Sequence, residues 1–340
     1  MPSRWRAILD QCKPWYLRAG LLLVLALSVP LPAPAATACP APALAFRRLA
    51  DGLWWLPAAL GEADEGNRGQ VSNLWLVRQG HGPRARLWAL GSGPSPAFGA
   101  ALACQTRQRL GLDLAAVISP WARPESVLGV AGVLQGQPDV VHWAHESVAD
   151  AMAEQCPRCV DRLRQRLGPA ATDLGDEPTR LPAQRLTGEQ GRLGPFLWWR
   201  LPRSEGRWVT VWRLRDRPLW AAPGLLSSGG PPDGRDADLA LLQASLLRLA
   251  DLARPDGGAA RFLGEQGGWM GPQAPLRQAA YWAALRSAVL AAIERGADEA
   301  AAPPPLPGWP AAWTQHPWQG FNWQRAWRQL EPGVLAAPGR

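Results

Sequence analysis

Apolar residues in the first third of the chain fall into short runs rich in Trp, Leu and Val, separated by Gly and Pro. Such runs predict β-strands, because aromatic and β-branched side chains pack well on a pleated sheet. A Gly-Pro turn after His81 joins two of these runs and predicts a hairpin. The predicted strands are Gly52–Leu56, Ser72–Val77, Arg86–Leu90 and Leu114–Ser119, with a helix over Phe98–Leu112 before the last of them.

Further along, segments with helical spacing alternate with short apolar runs. Strands therefore come in two groups, each followed by helices, which predicts two αβ halves that form a sheet-on-sheet sandwich with outer helices. A Pro/Ala-rich linker over 301–310 and a Trp-rich segment over 313–331 end the chain. The predicted helices are Glu125–Gln135, Glu146–Leu167, Asp238–Ala253 and Leu276–Arg295, and the predicted strands are Val140–Trp143, Leu197–Leu201, Trp208–Leu214, Leu219–Ala222 and Ala260–Leu263.

Residues 1–38 have the pattern of a secretory signal peptide: a basic segment ending near Arg18, an apolar run over Ala19–Val29, and small residues ending at Ala38. The apolar run is too short to span a bilayer comfortably, and no later segment is long and apolar enough. We therefore expect a periplasmic or secreted protein. Cys39 after the cleavage position leaves a lipoprotein as the alternative, although Ala36 replaces the usual Leu.

The predicted organisation is a signal peptide over 1–38, one domain over 39–300, and the linker and tail over 301–340. A composition of 47% hydrophobic and 19% charged residues is typical of a globular protein. The formal net charge is +8, of which residues 1–38 contribute +3, and every basic side chain after Lys13 is Arg. An excess of about +5 over some 300 residues, with no cluster in the sequence, does not predict nucleic acid as a partner.

Cleavage after Ala38 would leave four cysteines, an even number in an oxidising compartment. Cys156 and Cys159 could be a zinc half-site, a redox pair or a disulfide. No further ligands at zinc-site spacing lie nearby, and a redox C-x-x-C should open a helix rather than lie late in one. A structural disulfide between these two is the favoured interpretation, and Cys39 with Cys104 could form a second.

Two segments early in the chain resemble the metallo-β-lactamase superfamily. In that family an Asn leads a strand, as Asn73 does here, and the next strand ends in an Asp-x-Gly turn, where this chain has Gly91. The family's H-x-H-x-D-H loop follows a buried strand. Matching Pro124 and the apolar pair with Gly at 127–129 places four residues at the signature positions: Trp121, Arg123, Glu125 and Ser126.

The resemblance continues to about residue 331. It puts Arg203 at the third histidine, Gly224 at the metal-bridging Asp, and Gln266 at the last histidine. The C-terminal segment from His316 is similar to the tail of periplasmic members associated with quinoprotein systems. The resemblance implies a four-layer αββα sandwich of the metallo-β-lactamase type, and zinc as the cofactor of ordinary members.

The residues at these positions are poor zinc ligands. Guanidinium stays protonated and offers no lone pair, and neither Trp121 nor Gly224 carries a usable donor. Glu125 is the only strong ligand in the set, so water activation by zinc is not expected. His142 and His145 are close in sequence but lie away from the aligned loops, which favours surface or capping roles.

These substitutions predict a non-catalytic binding or accessory protein without a metal cofactor. The resemblance suggests a periplasmic quinoprotein or redox system as its setting. Arg123 and Arg203 beside Glu125 could be an internal ion pair that replaces the metal charge, or could bind an anionic or quinone-like ligand. The alternative is a divergent hydrolase that keeps activity with an unusual metal set. The sequence does not determine the oligomeric state.

Overall fold

Two β-sheets carry the fold in the computed structural model, which describes residues 38–336. Within that range the first sheet has seven strands in sequence order, antiparallel from β1 to β4 and parallel from β4 to β7. Its strands are β1 (Arg47–Ala50), β2 (Leu53–Leu56), β3 (Leu74–Gln79), β4 (Arg86–Leu90), β5 (Leu114–Ser119), β6 (Val141–His145) and β7 (Gln184–Leu186).

The second sheet of the described chain has five strands in the order β12-β11-β10-β9-β8. It is antiparallel except for the pair β11 and β12, which runs parallel. The parallel pairs at the edge of each sheet follow helical crossovers, as the predicted strand–helix alternation requires. Its strands are β8 (Gln190–Leu193), β9 (Phe196–Ser204), β10 (Arg207–Leu214), β11 (Leu219–Ala221) and β12 (Arg261–Leu263).

The helices of the described residues begin at polar caps in several cases. Ser95, His145, Asp238 and His316 each accept a hydrogen bond from a backbone N–H in the first turn, which satisfies a donor that the helix cannot. The α-helices are α1 (Pro96–Gln105), α2 (Pro124–Val127), α3 (Val130–Gly136), α4 (Glu146–Leu167), α5 (Leu239–Ala253), α6 (Ala274–Glu294) and α7 (Pro317–Leu335).

Three packing interfaces make four layers. Between the sheets, Trp75 and Ile118 pack in one cluster with Phe196, Trp198 and Trp212 of the second sheet. Helices α1 and α3 cover the outer face of the first sheet, and α5, α6 and α7 cover the outer face of the second. The predicted αββα sandwich is confirmed. Most of the tryptophans thus serve as large apolar bodies in these interfaces, where each removes a large area from water.

The predicted helix over 125–135 is interrupted. The chain forms α2 and α3 with a break at Gly129, whose N–H donates to the carbonyl oxygen of Gly93 at 2.9 Å. A Cβ at Gly129 would lie 2.0 Å from the carbonyl oxygen of Ser92, so this close approach needs glycine. Three short strands with mainly polar, exposed residues, β1, β7 and β8, were not predicted because they lack an apolar run.

The Trp-rich C-terminal segment packs into the second half of the sandwich. Trp323 and Trp327 are buried in the same cluster as α5 and α6. Asn322 accepts a hydrogen bond from Gly234 N at 3.0 Å and donates to the carbonyl oxygen of Pro232 at 2.7 Å. The segment predicted as a tail therefore completes the outer helical layer.

The disulfide predicted between Cys156 and Cys159 is wrong: both are free thiols. They lie one turn apart in the continuous helix α4, where Cys156 packs in an apolar cluster while Cys159 faces a cleft. Burial raises the pKa of the Cys156 thiol to about 12. Cys39 and Cys104 are both disulfide-bonded.

The predicted signal peptide lies outside the described residues except for Ala38. Among residues 38–336, no helix has the length and apolar character needed to cross a bilayer.

Candidate functional site

The aligned positions come from loops and strand ends at one edge of the sandwich. Trp121 and Arg123 follow β5, Arg203 lies near the end of β9, Gly224 follows β11, and Gln266 follows β12. These segments are far apart in sequence. The sheet topology brings their ends together.

Trp121 is at the centre of this group. The guanidinium carbons of Arg123 and Arg203 lie 5.4 and 5.0 Å from its ring centroid, within cation–π range. A Cβ at Gly224 would lie 3.0 Å from the indole, so the ring is seated against bare backbone. The indole therefore fills space where the resemblance expects a metal ligand.

Glu265 anchors the indole and was not predicted. Its carboxylate accepts hydrogen bonds from Trp121 Nε1 at 3.0 Å, from Gly224 N at 3.1 Å and from the hydroxyl of Ser72. The side chain is buried, and burial raises its pKa above the usual range for Glu. Its only sequence signal is its place beside Gln266.

Arg203 is buried without a carboxylate in ion-pair contact among residues 38–336. It donates to the carbonyl oxygens of Gly224, Asp233 (2.9 Å) and Arg235 (2.8 Å). Burial lowers its pKa to about 10. The guanidinium is therefore still protonated at neutral pH, and as a cation it binds three carbonyl oxygens from two backbone segments, at Gly224 and at 233–235.

Arg123 is paired with two carboxylates. It lies 3.3 Å from Glu125 and 3.0 Å from Asp233, and Asp233 also binds Arg235 at 2.8 Å. Burial alone would raise the pKa of Asp233, but the two arginines outweigh it and hold that pKa well below the usual range. Of the two arginines considered for an internal ion pair with Glu125, Arg123 forms one and Arg203 does not, and Asp233 is an additional partner of Arg123.

Three aligned residues, Gly224, Ser126 and Gln266, do not line the cleft beside these side chains. Gln266 exchanges two hydrogen bonds with the backbone of Gly61, at 3.0 and 2.7 Å, and so fixes the loop after β2. Ser126 is buried in α2, and its hydroxyl lies 3.4 Å from where a Cβ of Gly91 would stand. Of the aligned residues, Trp121, Arg123, Glu125 and Arg203 line the cleft.

The cleft has a volume of about 400 Å³ and lies between α4 and the start of β10. Within the described residues, eight arginines and three carboxylates line it. The guanidinium groups of Arg158, Arg162 and Arg207 have no ion-pair or hydrogen-bond partner among residues 38–336. Trp208 forms part of the wall, with the Arg200 guanidinium 4.0 Å from its ring centroid. The four-residue spacing of Arg158 and Arg162 in the predicted helix was a sequence signal for this set, but only the fold brings Arg207 to the same cleft.

The sandwich is similar to that of the metallo-β-lactamase FIM-1 from Pseudomonas aeruginosa in its mono-zinc form, at 17% identity over 72% of this chain and 96% of that one, with a TM-score of 0.53. Metallo-β-lactamases from Hirschia baltica and Erythrobacter litoralis match at 13% and 16% identity over 70% and 71% of this chain and 97% and 96% of theirs, both with a TM-score of 0.53.

The chain has the metallo-β-lactamase fold. No protein-family model matches its sequence. No curated protein matches it either.

Zinc does not fit this metallo-β-lactamase fold at the aligned positions. The side chains that converge there are indole and guanidinium, which cannot donate a lone pair to a cation. The carboxylates nearby are occupied: Glu125 by Arg123, and Glu265 by Trp121, Gly224 and Ser72. Across residues 38–336, no group of three or more His, Cys, Asp or Glu side chains is arranged to hold a metal ion.

The two neighbouring histidines act within the fold. His145 caps α4, accepting from Ser147 N, and its other ring nitrogen lies 2.8 Å from the carbonyl oxygen of Gly188. The Nε2 atom of His142 lies 2.8 Å from the hydroxyl of Ser119, and burial lowers the His142 pKa to about 4. Neither residue lines the cleft.

Proposed function

We propose that this protein is a non-catalytic binding protein built on the metallo-β-lactamase fold, and that its arginine-lined cleft binds an anionic small molecule. The observation that carries the proposal is the set of three arginines without partners, Arg158, Arg162 and Arg207, which face one cleft. Guanidinium groups recognise carboxylate and phosphate by paired hydrogen bonds, and these three are available for such contacts.

Arginines deeper in the cleft support this assignment. Arg203 is a buried cation with no carboxylate in contact among the described residues, and Arg123 lies beside it against the same indole. Cations behind low-dielectric walls focus positive potential into a cleft and raise the local concentration of anions. A ligand would therefore contact the outer arginines while the inner ones contribute to the field.

The setting of this function is also a proposal. The signal-like pattern of residues 1–38 supports export to the periplasm, and a disulfide is compatible with an oxidising compartment. The resemblance of the C-terminal segment supports an accessory role in a quinoprotein or redox system, with an anionic or quinone-like ligand.

Citrate and inorganic phosphate are suitable probes for the cleft. We expect saturable binding of at least one of them by calorimetry at low salt, and about 30-fold weaker binding by the R158Q/R162Q variant, since two charge-assisted contacts are lost. The R84Q/R192Q variant removes the same charge from exposed positions outside the cleft and should bind as wild type does. Unchanged affinity in R158Q/R162Q would contradict the proposal.

Metal content distinguishes this proposal from the divergent-hydrolase alternative. Protein purified from zinc-supplemented cells should contain zinc far below one equivalent by mass spectrometry, and EDTA should leave its melting temperature unchanged. Near-stoichiometric zinc, removed by EDTA together with a hydrolytic activity, would support the hydrolase instead.

A further inference from the structure

A second cleft adjoins the first. It has a volume of about 580 Å³ and lies between the loop at Glu62 and α7. Both clefts are lined by Arg166, Arg235 and Arg325, so they lie side by side on the surface. We call the two together the cationic groove, defined by the residues that line either cleft.

Helices form the opposite walls of the cationic groove. On α4, Arg158, Arg162 and Arg166 are four residues apart and therefore lie along one face. On α7, Phe321, Arg325 and Arg328 share a face by the same rule. Phe321 is 51% exposed, which leaves an apolar contact surface beside the arginines of α7.

The charge of the protein is concentrated in this groove. Within the described residues, nine arginines and four carboxylates line it, a formal excess of +5. Part of this excess is neutralised by carboxylates just outside the lining, because Asp233 pairs with Arg123 and Glu299 pairs with Arg328. Arg158, Arg162 and Arg207 have no such carboxylate within the described residues, so they carry the available positive charge of the groove.

We infer that the cationic groove is a docking site for an acidic, extended segment of a partner polypeptide. The inference rests on the proposed function and identifies the anion as a side chain of that segment. Cations repeated along both walls match carboxylates repeated along a chain, whereas a small anion would occupy only the first cleft. Phe321 supplies an apolar contact, and the exposed amide of Gln324 can pair with an extended backbone.

A fluorescein-labelled dodecapeptide of alternating Asp and Glu with one central Phe is the probe, and the Asn/Gln peptide of the same length is its neutral control. We expect saturable anisotropy for the acidic peptide only. The F321A/R328Q variant changes the second cleft alone, and we expect it to bind the peptide about tenfold more weakly while its affinity for citrate is unchanged. The R158Q/R162Q variant should bind both the peptide and citrate more weakly than wild type does. The R84Q/R192Q variant should bind both of them as wild type does.

The outcomes separate the two proposals. Equal peptide binding by wild type and F321A/R328Q would overturn the extended groove but leave small-anion binding in the first cleft intact. If the peptide binds in a way that depends on Phe321 but neither citrate nor phosphate binds, the docking site would be supported and the proposed small-molecule binding would be contradicted. Tighter binding of a single-stranded DNA oligonucleotide of the same charge would overturn the assignment to a polypeptide. Circular dichroism of F321A/R328Q controls for folding, which should persist because both side chains are exposed.

Discussion

Replacement of Asp233 with Asn is expected to lower the free energy of unfolding by about 3 kcal/mol, because the buried guanidinium of Arg123 loses one of its two carboxylate partners. Asp233 contacts Arg123 at 3.0 Å and Arg235 at 2.8 Å, and the side chains of Asp233 and Arg123 are only 11% and 10% exposed. Asn keeps the size and one acceptor but removes the charge. The desolvation cost of Arg123 then remains with less compensation.

Urea denaturation at neutral pH measures this effect. The matched control is D150N, because Asp150 pairs with Arg185 where both side chains are about half exposed or more, and such surface pairs contribute under about 1 kcal/mol.

The stabilisation by Asp233 should also depend on pH. Because the pKa of Asp233 is lowered in the folded protein, this stabilisation is present above the ordinary pKa of 3.8 and is lost as the pH falls through the lowered pKa. The difference in the free energy of unfolding between wild type and D233N should therefore shrink in strong acid. If D233N lowers the free energy of unfolding no more than D150N does, the buried ion-pair network would be contradicted.

Replacement of Gly132 with Ala is expected to destabilise the protein by about 3 kcal/mol or more, because overpacking against backbone has little room to relax. Gly132 lies in α3, and a Cβ there would be 1.8 Å from the carbonyl oxygen of Pro96 in α1. Helix α1 would have to move away from α3, and both helices cover the first sheet.

Gly320 in α7 is the control for that substitution. No atom lies within 4 Å of a Cβ placed on it, so G320A should stabilise the helix by about 0.5–1 kcal/mol, the ordinary gain of Ala over Gly. In thermal unfolding, G132A should melt at a lower temperature than wild type and G320A at a higher one. A G132A variant as stable as wild type would show that α1 and α3 do not meet as closely as described.

Much of the fold could be predicted because its elements are local. Helix α4 has the predicted bounds, with His145 as its cap, and β5 matches its predicted run. Periodicity identified these elements because each buries one face of its own sequence. The edge strand β8 was missed because its residues are largely polar, and only its pairing with β9 makes it a strand.

The candidate site was predicted in part. Alignment to the family loops indicated Trp121, Arg123 and Arg203, and these do meet around one indole. Glu265 and Asp233 were missed, since a carboxylate becomes a partner only through neighbours supplied by other segments. Likewise, the C-x-x-C spacing suggested a disulfide at Cys156, although helix α4 places that thiol in the core.

The sequence by itself determined which chemical groups stand at the aligned positions, and therefore that indole, guanidinium and bare backbone replace good zinc donors there. Only the tertiary structure decided which arginines are neutralised and which are available to a ligand. Asp233 reaches Arg123 across 110 positions of sequence, while Arg158 and Arg162 meet no carboxylate within the described residues. Charge pairing depends on distances of a few ångströms in space, and those distances are set by how the two sheets and their helices pack.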